Sequence, residues 1–225
     1  MSSPSARLAE VLAALRRAAA RARRPAPALV AVSKTRPAAE LAELARAGQR
    51  AFGENYVQEA QAKIAELTDP ALQWHLIGHL QSNKAELAAR LFDWVQTVDR
   101  PKLVAALARH RPAGRGPLNV LIQVNIDDEA SKHGCRPEQV EALAAAIAAE
   151  PALRLHGLMA IPAPHPDPAL RRAAFARMRA LFEALQARHP GIDTLSMGMS
   201  GDFELAAAEG ASMVRVGTAL FGSRG

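Results

Sequence analysis

Eight short β-like runs alternate with amphipathic helical stretches along this chain of 225 residues, and no other feature restricts its fold so strongly. The runs are Ala28 to Ser33, Arg50 to Gly53, Gln73 to Gly78, Asp93 to Val98, Leu118 to Asn125, Leu153 to Ala160, Thr194 to Met197 and Ser212 to Val216. Helical stretches begin near Pro37, Asn55, Ser82, Arg100, Pro137, Pro168 and Asp202. Several of these starts carry Pro, Asp, Asn or Ser, the residues that helix entry prefers. Parallel strands cannot be joined by a tight turn; they need a crossover, usually a helix, so the alternation predicts a parallel sheet covered by helices. Eight such units predict a (β/α)8 TIM-type barrel, with an open doubly wound sheet as the competing α/β architecture. The expectation is one domain over residues 1–225, its barrel at about 28–222, because the Gly/Pro-rich connections Pro112 to Pro117 and Pro162 to Pro168 fall inside the alternation.

The N-terminal segment is rich in Arg and Ala and has one acidic residue, Glu10, before residue 40, a composition it shares with organelle-targeting peptides. Leu8, Val11, Leu12 and Leu15 nevertheless fall at helical spacing, and Arg16, Arg17, Arg21, Arg23 and Arg24 crowd the end, where cations suit the helix dipole. A docked amphipathic helix at about residues 4–24 is therefore expected. No apolar run approaches the roughly 20 residues of a membrane span. One cysteine, Cys135, cannot form an internal disulfide, so a reducing compartment is the natural setting. The net charge of +6 raises nucleic acid as a partner, but the 4% aromatic content and the absence of a binding motif argue against it.

In barrels of this type the active site lies at the C-terminal ends of the strands, and phosphate is often held by the loops after strands seven and eight. Those ends carry Lys34; Glu54 and Asn55; His79 with Gln81 to Lys84; Asn125; Met159; Ser196 to Gly201; and Arg215, Gly217 and Thr218. A lysine after the apolar strand ALVAVS can form a Schiff base, although a strand-end lysine also snorkels into solvent or pairs with a carboxylate. SMGMSGD, Ser196 to Asp202, and VRVGTALFG, Val214 to Gly222, each offer glycines, hydroxyls and free backbone N–H groups to an anion at a helix start. Each alone is an ordinary helix entry; as a pair on loops seven and eight they point to phosphate. Arg215 stands in an otherwise apolar strand, where a buried guanidinium wants an acceptor, either a carboxylate or a ligand. A Schiff-base lysine, a phosphate cup and an arginine together describe pyridoxal 5'-phosphate (PLP), whose ring nitrogen needs a protein partner.

Other groups read as structural. His75 and His79 lack the HExxH context of zinc and sit in a strand-like segment. Asp127, Asp128 and Glu129 read as a solvated turn, and Cys135, in a polar loop, lacks a thiolate-stabilising pattern.

The segments AVSKT (31 to 35), FGENYVQE (52 to 59), WHLIGHLQSNK (74 to 84), NIDDEASKHG (125 to 134), HGLMAIP (156 to 162), SMGMSGD (196 to 202) and VRVGTALFG (214 to 222) resemble, in order and over nearly the whole chain, the pyridoxal phosphate homeostasis protein family. The resemblance implies a single-domain PLP-binding barrel, similar to the N-terminal domain of alanine racemase without its second, β-rich domain. It implies Lys34 as the aldimine lysine, Ser200, Gly217 and Thr218 as the phosphate cup, and Arg215 as partner of the ring nitrogen. Asn55 and Asn83 are implied as pocket residues, with Met199 and Met159 as walls. The departure is His79 in IGHLQ, where bacterial relatives often carry Pro; it bears on the local loop rather than on the cofactor.

The implied role is a cytoplasmic, monomeric carrier or buffer of PLP in vitamin B6 and amino-acid homeostasis, with PLP-requiring apoenzymes as partners and no nucleic acid, membrane or metal. The competing reading is a PLP-dependent amino-acid racemase reduced to one domain. Two-base racemisation needs a second acid/base group, a tyrosine of the other domain in alanine racemase, and the one tyrosine here is Tyr56.

Overall fold

A computed structural model describes residues 3–129 and 132–222; Ala130 and Ser131 of the NIDDEASKHG segment lie outside the described residues, as do the first two and last three positions. The strands are β1 (Ala28–Val32), β2 (Ala51–Glu54), β3 (Gln73–Leu76), β4 (Trp94–Val98), β5 (Leu118–Val124), β6 (Leu153–Ala160), β7 (Thr194–Ser196) and β8 (Met213–Val216). Each pairs in parallel with its sequence neighbour, and β8 returns to pair with β1, closing the barrel. The open doubly wound sheet is thereby excluded, since it would leave two edges unpaired.

The helices are α1 (Pro4–Arg21), α2 (Ala38–Arg46), α3 (Val57–Glu66), α4 (Ala85–Leu91), α5 (Pro101–His110), α6 (Val140–Ala148), α7 (Pro168–Arg188), α8 (Phe203–Ala208) and α9 (Thr218–Phe221). Local chemistry sets their starts: Pro168 takes the first position of α7, and Asp167 caps it by accepting from Ala169 N at 2.8 Å. Helices α4 and α6 begin later than the sequence suggests because single 3-10 turns, Ser82–Lys84 and Pro137–Gln139, precede them. The strands end within two residues of their expected limits, and the helix entry read in VRVGTALFG becomes the four-residue α9.

Two buried interiors result. Between strands and helices lies the main core, with Leu41, Leu44, Phe52, Leu76, Phe92 and Leu107 fully buried. The barrel lumen is partly polar: Gln96 on β4 reaches both Ser196 on β7 and Met213 on β8, contacts between non-neighbouring strands that must cross the interior.

Helix α1 is docked, as its apolar spacing predicts. Leu8, Val11, Leu15 and Ala18 are buried, and the helix lies against α8, α9 and α2. Helices α8 and α9 are only six and four residues long, and α1 packs against both. It ends at Arg21 rather than Arg24, because Arg23 takes a left-handed conformation at φ 55° that a helix cannot continue through.

Leu15→Ala should lower unfolding free energy by about 2–4 kcal/mol in a urea titration, the range for emptying a buried leucine site. Arg16→Ala, on the exposed face one residue later, should stay within about 0.5 kcal/mol of the parent. Equal, small effects would mean that α1 is not part of the cooperative unit.

Candidate cofactor site

A cavity of about 290 Å³ opens at the C-terminal end of the barrel. Val32 and Lys34 enter it from the end of β1, Asn55 from the end of β2, and Ile77 and Ile161 from beyond β3 and β6. Met199, Ser200 and Gly201 come from the loop after β7; Arg215, Gly217 and Thr218 come from β8 and the start of α9. Seven of the residues singled out in the sequence are thus brought together: Lys34, Asn55, Met199, Ser200, Arg215, Gly217 and Thr218. Asn83 is not among the lining residues, because it sits exposed in the 3-10 turn Ser82–Lys84. Met159 is fully buried within β6 and does not line the cavity either; Ile161, two residues further along the strand direction, takes that place.

Lys34 occupies the turn that follows β1, and its ammonium makes no hydrogen bond or ion pair among the described residues. The turn is fixed from behind. Lys63 on α3 is buried and donates to the Ser33 carbonyl, to Glu54 Oε1 and to Glu59 Oε1, each at 2.7 Å. Ser33 Oγ donates to the same Glu54 oxygen at 2.6 Å, and the Thr35 N–H donates to Glu59. Thr35 has φ 63°, an uncommon left-handed conformation for a β-branched residue. Burial raises the Glu54 carboxyl above the ordinary carboxylate range, while Lys63 and Ser33 hold it back. Sequence reasoning missed this cluster; the signal was the Glu59/Lys63 spacing of four on one helix face.

At the other end of the cavity, Ser200 Oγ accepts from the backbone N–H groups of Gly217 at 3.1 Å and Ala219 at 3.5 Å. These donors converge on one oxygen as they would on a phosphate oxygen. The SMGMSGD loop needs glycine at 198, where φ is 94° and an added Cβ would lie 2.5 Å from the Ala206 Cβ. Asp202 folds back over this loop and accepts from Met199 N at 2.7 Å, rather than capping α8 by its side chain.

Arg215 is 3% exposed and has no carboxylate within ion-pair distance among the described residues. Its Nη1 donates to Ser196 Oγ at 2.6 Å and its Nη2 to the Ala160 carbonyl at 2.8 Å. Burial pushes its pKa down to about 10, with Asp202 opposing, so it stays charged at neutral pH. A guanidinium has five N–H donors; these two contacts leave three without a partner among the described residues, on a side chain that lines the cavity.

The remaining candidates are structural. His75 is buried on β3 and stacks on Trp94 with ring centroids 5.3 Å apart. His79 stacks on His133 at 3.7 Å and faces Asp99 at 3.8 Å. Asp127 ties its loop to the next by accepting from Ala163 N at 2.8 Å and Arg177 Nη2 at 2.6 Å. Cys135, expected in a polar loop, is instead buried, and its thiol pKa is pushed up to about 12. Among the described residues no group of three His, Cys, Asp or Glu side chains could hold a metal ion.

The family model of the alanine racemase N-terminal domain matches residues 7–225. A pyridoxal phosphate homeostasis protein of Pseudomonas aeruginosa is 54% identical over 226 residues, which cover 100% of this chain and 97% of that one. Its counterpart in Escherichia coli is 53% identical over 199 residues, 87% of this chain and 85% of that one. Among solved structures, PipY of Synechococcus elongatus with PLP bound superposes with a TM-score of 0.84 at 40% identity, covering 97% of this chain and 100% of that one. Alanine racemase from Corynebacterium glutamicum shares the fold at 19% identity and a TM-score of 0.70, with 98% of this chain matching 62% of that one. The chain belongs to the pyridoxal phosphate homeostasis proteins, within the wider family defined by the alanine racemase N-terminal domain.

Proposed function

We propose that the chain binds PLP and carries or buffers it for vitamin B6 and amino-acid homeostasis. The observation that carries this reading is one cavity holding three separate complements: an amine at Lys34 without a partner among the described residues, the backbone N–H groups of Gly217 and Ala219 converging on Ser200 Oγ, and a buried guanidinium at Arg215 with donors to spare. An aldehyde, a phosphate and a ring nitrogen on one small molecule match all three. PLP supplies an aldehyde that condenses with a primary amine, with loss of water, and a ring that withdraws electrons. The relatives named for PLP homeostasis, and PipY with PLP bound, support the assignment.

The cavity argues for carriage over catalysis. Apart from Lys34 and Arg215 it is lined by no titratable side chain among the described residues. Tyr56, the one tyrosine, does not line it and is 62% exposed. A racemase needs a second acid/base group beside the cofactor. Arg215 retains its proton at neutral pH, so it donates to an unprotonated ring nitrogen and leaves the ring a weaker electron sink. Among the described residues no helix is long and apolar enough to cross a membrane. The proposal includes a cytoplasmic, monomeric protein that passes PLP to apoenzymes.

Lys34→Ala should abolish covalent attachment without unfolding the chain, since Lys34 makes no contact that holds the core. After borohydride reduction of the PLP-loaded parent, mass spectrometry should place the pyridoxyl group on Lys34; labelling mainly of another lysine would overturn the assignment. Ser200→Ala should weaken PLP binding by about tenfold or more, the worth of a charge-assisted hydrogen bond, while hardly altering the weaker binding of unphosphorylated pyridoxal. Equal loss for both ligands would remove Ser200 from the phosphate. Arg215→Gln should reduce the thermal stabilisation that PLP confers by mass action more than it lowers the melting temperature of the apoprotein.

A further inference from the structure

The lumen beneath the cavity holds a chain of polar side chains that the proposed cofactor contacts do not use. Ser196 Oγ lies 2.6 Å from Arg215 Nη1 and 2.7 Å from Gln96 Oε1. Gln96 Nε2 lies 3.0 Å from His75 Nδ1 and 3.2 Å from Met213 Sδ. Ser196, Gln96, His75 and Arg215 are all buried.

The direction of every proton in this chain follows from its first member. A guanidinium can only donate, so Ser196 must accept from Arg215 and has its own hydroxyl proton to give. That proton goes to Gln96 Oε1, which fixes the orientation of the amide. The Gln96 NH₂ then faces His75 and must find an acceptor there, so His75 Nδ1 carries no proton and the imidazole is neutral with its proton on Nε2. Full burial, which pushes the His75 pKa down to about 3, agrees with that state. Trp94, stacked on the ring, contributes no charge, and no acidic side chain makes an ion pair with it among the described residues.

We propose that Gln96 and Ser196 are positioning residues, in a one-way hydrogen-bond chain that ends on His75 as acceptor, whose task is to fix Arg215 so that its free donors face the ring nitrogen of the bound cofactor. Without Ser196 as acceptor, the Ala160 carbonyl alone among the described residues holds the guanidinium, and a single hydrogen bond leaves the group free to swing about it. This rests on the reading of Arg215 as partner of the ring nitrogen.

Two measurements test it. In the cofactor-free protein, ¹⁵N NMR of the histidine rings should show His75 neutral and protonated on Nε2 at pH 5; a His75 protonated on Nδ1, or charged, would overturn the chain. The second measurement compares dissociation constants for PLP and for its deaza analogue, in which C–H replaces the ring nitrogen. The parent should favour PLP over the analogue by about tenfold more than Arg215→Met does, the order expected of one charge-assisted hydrogen bond. Gln96→Leu and Ser196→Ala should lose that discrimination and fall to the Arg215→Met ratio, while keeping phosphate-dependent binding of both ligands. Gln96→Glu should restore it, since a carboxylate accepts from Ser196 as the amide oxygen does, and should move the His75 proton to Nδ1. A parent ratio equal to that of Arg215→Met would overturn the ring-nitrogen reading itself. A parent-like ratio in both Gln96→Leu and Ser196→Ala would overturn the positioning role alone.

Discussion

The pairing of β8 with β1 sets the geometry on which the rest depends. Its register places Val30 opposite Arg215 and Ala31 opposite Val216, so the chain leaves β1 at Lys34 beside the point where it leaves β8 at Gly217. Gly217 lies close enough to Val32 that an added Cβ would sit 3.2 Å from the Val32 carbonyl oxygen. Residues nearly the whole chain apart in sequence thereby meet across one hydrogen-bonded ladder. A barrel that failed to close would still have Lys34 and the glycine-bearing turn after β8, but on opposite edges of a sheet. Closure also makes the lumen, and with it the buried acceptors that hold Arg215.

The charge distribution around the site follows from that enclosure. Lys63 is neutralised by Glu54 and Glu59, so the lysine that lies near the turn is a strut and the lysine in the turn is left free. Arg215 is treated in the opposite way. It is surrounded by neutral acceptors, a hydroxyl and a carbonyl, which solvate the guanidinium without cancelling it. Replacing those dipoles by a carboxylate would satisfy the arginine internally and leave it little reason to face a ligand.

Much of this was legible in the sequence, because periodicity reports what faces the core and strand ends in a barrel have a defined place. The eight strands and residues at seven of their ends could be read directly, including Lys34, Ser200 and Arg215. Asn83 was misplaced relative to the cavity because the QSNK segment folds into a 3-10 turn before α4, a local choice that rotates its side chains by about 120° per residue. Cys135 reads as part of a polar loop because its neighbours are polar, whereas a bridge to Val124 draws it inward. The lumen network was invisible for a different reason: Gln96, Ser196 and His75 are far apart in sequence, and only a closed barrel makes them neighbours. The Lys63 cluster needed the packing of α3 on the sheet to join Glu54 to a helical pair.

The docking of α1 has a bearing on when the site comes into being. Arg7 Nε donates to the carbonyl of Leu220, so one of the earliest side chains of the first helix braces the short helix that presents Gly217 and Thr218. During synthesis, residue 7 leaves the ribosome long before residue 220, and the helix that it braces does not yet exist. Contacts of such long sequence separation form late. A nascent chain can therefore expose Lys34 for most of its translation with nothing built to hold a phosphate beside it. On the proposed site, a reactive aldehyde meets a simple amine at that stage, and selectivity for a phosphorylated one would arrive only when the last turn of helix seats against the first.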